Sequence, residues 1–186
     1  SEAYLGRREA MLLVAASWLI GAAFAALPFY LWGTGVDGGH AFGSYVDCYF
    51  EATSGLTTTG ATILPNIESV PDSLLLWRSM THWLGGLGIV VLFVAVLPSL
   101  GVGGKRLFQV EAPGPSPEGV RPHIRETARV LWYIYLAFTV FAIVAYKIAG
   151  MPFFDAVCHA VSSVSTGGFS TKDASIGAFN SLAVDL

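Results

Sequence analysis

Residues 55–62 read GLTTTGAT, and residues 163–170 read SVSTGGFS. Each run sets small hydroxyl side chains and glycine between apolar flanks. What such residues offer is oxygen. The hydroxyls supply some directly, and glycine permits backbone angles that let carbonyls turn toward one axis. Oxygens gathered in that way suit a cation stripped of its water. Two such runs need elements that hold them at one place.

Composition says what medium those elements lie in. Hydrophobic residues make up 54% of the 186, and charged residues 12%. Mean hydropathy is +0.61. Soluble domains carry about a quarter charged residues, so the class is an all-α integral membrane protein. The net charge of −3 does not suggest nucleic-acid binding. Cys48 and Cys158 form no metal or redox spacing and read as buried free thiols. The chain lacks an initiator Met, and residues 1–9 do not resemble a cleaved leader, so a piece of a longer chain is expected.

Three apolar segments approach the roughly 20 residues needed to cross a bilayer. They are 10–32, 74–100 and 128–150, with a fourth expected to begin near Leu186. Arg7, Arg8, Lys105, Arg106, Arg121, Arg125 and Arg129 lie on one side, which the positive-inside rule makes cytoplasmic. The Gly- and Pro-rich stretch within 101–127 is then a cytoplasmic loop. Asp37, Glu68, Asp72 and Lys172 fall outside.

Two outer segments, 43–57 and 152–165, are too short to cross and too apolar for free loops. They read as re-entrant helices. Offset by 108 residues, Asp47 meets Asp155, Ala52 meets Ala160, Ser54 meets Ser162, Thr58 meets Thr166 and Gly60 meets Gly168. Ser44 with Asp47 suggests a capping box, and Pro152 suits a first helical position. The order span, short helix, polar run, span thus occurs once completely (1–104) and begins again after a loop at 105–127 (128–186).

Irregular backbone at membrane depth is tolerated only where protein buries it or it lines a wet cavity. The C-terminal end of each short helix adds about half a negative charge. The runs 57–62 and 165–170 therefore read as two quarters of a cation filter. Small residues also pack membrane helices closely, and either run alone fits that reading or an outer turn. Their matching positions favour the filter.

Several long stretches resemble one family. FEATSGLTTTGAT (50–62), HWLGGLGIVVLFVAVLPSLGVGG (82–104), VEAPGP (110–115), RETARVLW (125–132) and FDAVCHAVSSVSTGGFSTKDAS (154–175) are similar to the TrkH/KtrB/HKT superfamily of potassium transporters, most closely its TrkH branch. The resemblance implies four helix–pore-loop–helix repeats around one potassium-channel-like pore, with one filter glycine per loop. Gly60 and Gly168 are the matching glycines. Carbonyls of Thr58, Thr59, Thr166 and Gly167 would bind potassium, with Thr57 and Ser165 at the inner end. HKT relatives with Ser at the first-loop glycine are associated with sodium permeation, so glycine at both positions favours potassium. The resemblance further implies a bacterial inner-membrane homodimer, no organic cofactor, and a cytoplasmic nucleotide-binding partner of TrkA type. It implies potassium uptake and no catalysis. The alternative is a non-conducting membrane interaction subunit that keeps the scaffold.

Other residues carry smaller expectations. Arg78 reads as a structural anchor or a pore charge, and Lys147 as a snorkelling cation. Glu51 and His159 share one register, where a carboxylate could attract cations or bond the back of the filter, and a supporting hydrogen bond is expected. His82 and Trp83 open the glycine-rich part of their span, where Gly85, Gly86 and Gly88 are expected to permit close helix contact rather than act as a hinge. Ser54 with His82 or His159 could suggest an intramembrane serine protease, but the expected elbow G-x-S-x-G is absent. GVGGKR (101–106) fails the P-loop pattern.

Overall fold

The computed structural model describes residues 7–36, 39–100, 120–179, 181 and 184, with side chains at 7, 10, 91–100, 120–125 and 127 left out. Among the described residues every regular element is helical, and none is a strand. Three helices are long: α1 (Arg7–Gly33), α3 (Asp72–Leu100) and α4 (Val120–Ile148). Two are short: α2 (Tyr45–Leu56) and α5 (Phe153–Val164).

Within the described residues, Met11–Gly33 and Ala128–Ile148 are long and apolar enough to cross a membrane. Only 22% and 6% of their apolar windows are buried. A soluble core helix of that composition would be mostly covered, so these faces suit lipid or further helices. α3 is as long, although its side chains from 91 on lie outside the described residues.

Helix α1 buries one stripe, Ala22, Ala25, Ala26 and Phe29, and exposes Leu19, Ile20, Phe24 and Leu31. That spacing is the helical period, and the alanines let α2 approach closely. Pro28 removes one backbone donor inside the helix. Donors from neighbours reach carbonyls nearby: Tyr45 to Ala23 at 2.9 Å and Trp77 to Ala25 at 2.9 Å. Phe29 packs on Phe42 with ring centroids 4.7 Å apart, beside buried Cys48, Ala52 and Leu74. Helix α3 is the central post, packing against α2, α4 and α5.

The starts of the short helices differ in detail from expectation. Ser44 occupies the cap position of α2, but its hydroxyl makes no capping bond, so there is no capping box. A tight 3-10 turn at Ala41–Gly43, capped by His40, already fixes the entry. The helix begins with the Cys48 N–H donating to the Ser44 carbonyl at 3.1 Å. Pro152 is the cap of α5 rather than its first residue, and its carbonyl accepts from Ala156 at 2.8 Å. Residues 120–127, expected within a loop, extend α4. Pro122 sits in the first turn, where no backbone donor is needed. The rest of that loop, 101–119, lies outside the described residues, as do Asp37 and most of the chain after 179.

Candidate functional site

The two short helices end in the same way. In α2 the Thr58 N–H donates to the Gly55 carbonyl at 3.0 Å, and Thr59 N–H to Ser54 at 2.9 Å. In α5 Thr166 N–H donates to Ser163 at 2.9 Å, and Gly167 N–H to Ser162 at 2.9 Å. This pair of bonds is the Schellman ending, whose closing residue is left-handed and usually glycine. Here that residue is threonine both times, at φ 54° for Thr58 and 57° for Thr166. A β-branched residue in that region is an outlier. Two residues later stand Gly60 at φ 78° and Gly168 at φ 91°.

The residue before each threonine also repeats its bonding. Thr57 Oγ1 donates to the Thr53 carbonyl at 2.8 Å, and Ser165 Oγ to Val161 at 2.9 Å. The hydroxyls of Thr57 and Thr59 lie 2.8 Å apart. The eight expected site residues, Thr57, Thr58, Thr59, Gly60, Ser165, Thr166, Gly167 and Gly168, therefore lie in two chain reversals closed by the same bonds. The loops meet where Gly60 turns its Cα toward the carbonyl of Gly167, so close that a Cβ on Gly60 would overlap that oxygen. Around Gly168 the space a Cβ would take is open. A cavity of about 260 Å³ adjoins Thr57 and Thr58, bounded by Trp18, Leu56, Gly85 and Ile89.

Behind the first loop, Glu51 is fully buried and collects donors. Its carboxylate accepts from Thr62 Oγ1 at 2.8 Å, from the Ile63 N–H at 3.0 Å and from Arg78 Nε at 2.6 Å. Arg78 also donates through Nη1 to the Ser170 carbonyl at 3.0 Å. Its guanidinium carbon lies 3.5 Å from the ring centre of Phe169. Behind the second loop, His159 Nδ1 donates to the Asp155 carbonyl at 2.8 Å. With the ring neutral, Nε2 accepts from the Ser170 hydroxyl at 3.0 Å. Glu51 thus makes the supporting hydrogen bonds expected of a carboxylate there, and His159 bonds the second loop from the same register. Thr171 Oγ1 donates to Asp155 at 2.5 Å.

Helix α3 fits between the loops through its glycines. A Cβ on Gly85 would strike the Leu56 backbone, one on Gly86 would meet Tyr135 and Ser165, and one on Gly88 would press on Trp18. Close contact is their visible role. His82 shares a 2.9 Å hydrogen bond with Ser162, not Ser54, and stacks on Phe169 at 3.9 Å. Ser54 instead donates to the Ala61 carbonyl at 2.6 Å. His82 and Ser162 are both buried, and the His82 ring lies against Gly167. Trp83 donates to Thr139 at 3.0 Å, which ties α3 to α4. Cys48 and Cys158 are buried free thiols.

Sequence reasoning missed two features. One is threonine, not glycine, in the left-handed positions. A hydroxyl residue exactly two before each glycine was the available signal, but composition cannot report φ. The other is the reach of Arg78 from Glu51 to Ser170, 92 residues from it in sequence. Among the described residues no three His, Cys, Asp or Glu side chains gather as a metal site. The oxygens on offer are carbonyls and hydroxyls.

A family model described as TrkH, cation transport protein, matches residues 9–186. The chain belongs to the TrkH family. It is 48% identical over 183 residues to the Trk system potassium uptake protein TrkH of Halomonas elongata, covering 98% of this chain and 37% of that one. It is 43% identical to the Trk system potassium uptake protein TrkG of Escherichia coli K12, again over 98% of this chain and 36% of that protein. The crystal structure of the potassium transporter TrkH from Vibrio parahaemolyticus superposes with a TM-score of 0.80 at 39% identity. That match covers 99% of this chain and 35% of the crystallised one. The chain of this TrkH-family member thus spans little more than a third of the relatives it matches.

Proposed function

We propose that this chain supplies two of four pore loops for potassium uptake across the bacterial cytoplasmic membrane. The observation that carries the reading is the repeated helix ending. Two short helices close with the same bonds, the same left-handed threonine and the same positive-φ glycine, and the loops they launch meet at Gly60 and Gly167. Carbonyls of Thr58, Thr59, Thr166 and Gly167, with the Thr57 and Ser165 positions at the inner end, replace the hydration shell of a potassium ion. The C-terminal ends of α2 and α5 add negative potential there. Relatives named as potassium uptake proteins support the choice of ion.

On this reading the loops enter from outside, and the N-terminus and the basic 101–127 segment face the cytoplasm. A homodimer and a cytoplasmic subunit of TrkA type complete the assembly. Support for further components is the phrase Trk system in the relatives' names. The test is potassium and sodium flux through the complete transporter with Gly60→Ser. A side chain at Gly60 collides with the Gly167 carbonyl, so potassium-over-sodium selectivity falls. Unchanged selectivity would remove Gly60 from the filter. No flux from the unsubstituted protein would favour the non-conducting subunit.

A further inference from the structure

We propose that Arg78 is a positioning residue that clamps the two loops to each other from behind and so sets their selectivity. This inference rests on the transport reading above and concerns the same site. Arg78 is 2% exposed, so its charge does not face an ion path in this chain. Its donors instead go to both loops. Nε reaches Glu51, which holds Thr62 and Ile63 where the first filter segment ends. Nη1 reaches the backbone of Ser170, the last residue of the second. The guanidinium face rests on Phe169, which adjoins Gly168.

Stability alone does not account for this arrangement. A buried ion pair is often no better than well-packed apolar residues of the same volume. A rigid planar fork gives something an apolar pair cannot, a fixed distance between two acceptors on different segments. At filter depth the loops touch through Gly60 and Gly167. Farther out, Asp173 accepts from the Ile67 N–H at 2.6 Å, and Lys172 pairs with Glu68 at 3.3 Å. Arg78 supplies the rear point of attachment, and three points define a plane. Lysine would keep the charge but lacks the fork, so it satisfies one loop at a time.

The experiment is uptake of potassium and of sodium by the complete transporter in proteoliposomes, for the unsubstituted protein, Arg78→Lys, Glu51→Gln and the double variant. Each single variant lowers the potassium-to-sodium ratio by about tenfold or more, the equivalent of one lost charged hydrogen bond. The double variant falls no further than the worse single, because both act through one clamp. Additive losses overturn the clamp, and so does an unchanged ratio in Arg78→Lys. If Arg78→Lys does not reach the membrane, Glu51→Gln decides alone, and its unchanged ratio overturns the inference. Absence of potassium flux in the unsubstituted protein defeats the transport reading and this inference with it. Potassium-selective flux with unchanged ratios in both variants defeats this inference alone.

Discussion

Thr58 and Thr166 hold the same left-handed backbone, at φ 54° and 57°, although 108 positions separate them. Glycine would adopt that conformation without strain, whereas a β-branched side chain there costs about 1–3 kcal/mol. Such strain persists where the surroundings over-determine it, and it concentrates at functional sites. We expect Thr58→Gly to leave thermal stability unchanged or raise it by about 1 kcal/mol while selectivity falls. The freed backbone no longer fixes the carbonyls of residues 58 and 59. Melting in detergent and paired potassium and sodium flux check both halves. A lower melting temperature with intact selectivity would mean that the threonine side chain is simply good packing.

The glycines of α3 give a graded comparison. A Cβ at Gly85 meets backbone atoms of Leu56, which cannot swing aside, whereas one at Gly88 meets only the edge of Trp18 at 3.3 Å. Gly85→Ala should destabilise by roughly 1–3 kcal/mol through overpacking. Gly88→Ala should stay near neutral, helped by the better helix propensity of alanine. Thermal melting of the two variants side by side decides. Equal melting temperatures would show that α3 can retreat from α2 without penalty.

His40 should make the entry to α2 sensitive to acid. Its Nδ1 accepts from the Phe42 N–H at 3.1 Å, which requires that nitrogen to be unprotonated. Burial holds its pKa below the ordinary 6.5. Protons therefore bind the unfolded chain more readily, and the associated stability is full above 6.5 and lost as pH falls through the lower folded value. His40→Asn should flatten the decline of melting temperature between neutral pH and about pH 5 relative to the unsubstituted protein. Parallel declines for the two proteins would assign the acid sensitivity elsewhere.

Much of this architecture was legible in the sequence. Spans 10–32 and 128–150 lie within α1 and α4, except that α4 ends at Ile148, because length and hydropathy are summed over many residues and survive local error. The short helices emerged from matched residues such as Asp47 with Asp155, and their bounds fell within two residues of expectation. Helix starts were less legible. Ser44 has the right residue type and the right place, yet its hydroxyl does not cap, because a preceding turn had already settled the entry. A supporting hydrogen bond from Glu51 could be anticipated from a carboxylate placed on the short helix behind the polar run. The partner of Arg78 on the second loop could not, since nothing local in sequence links residue 78 to residue 170.

Stability of the buried Arg78–Glu51 pair should be markedly asymmetric under substitution. Both side chains are at most 2% exposed, and their contact is 2.6 Å. Arg78→Met leaves the Glu51 carboxylate buried without its cation, which should cost about 3–5 kcal/mol. Adding Glu51→Leu removes that stranded charge. The double variant should then recover part of the loss, although Thr62 Oγ1 and the Ile63 N–H lose their acceptor, at about 1–3 kcal/mol for an unsatisfied donor. Denaturation of both variants measures the difference directly. If the double variant is less stable than Arg78→Met, Glu51 contributes more as an anchor for Thr62 and Ile63 than as the partner of Arg78. The first loop would then be held chiefly by its own short helix, with α3 serving the second.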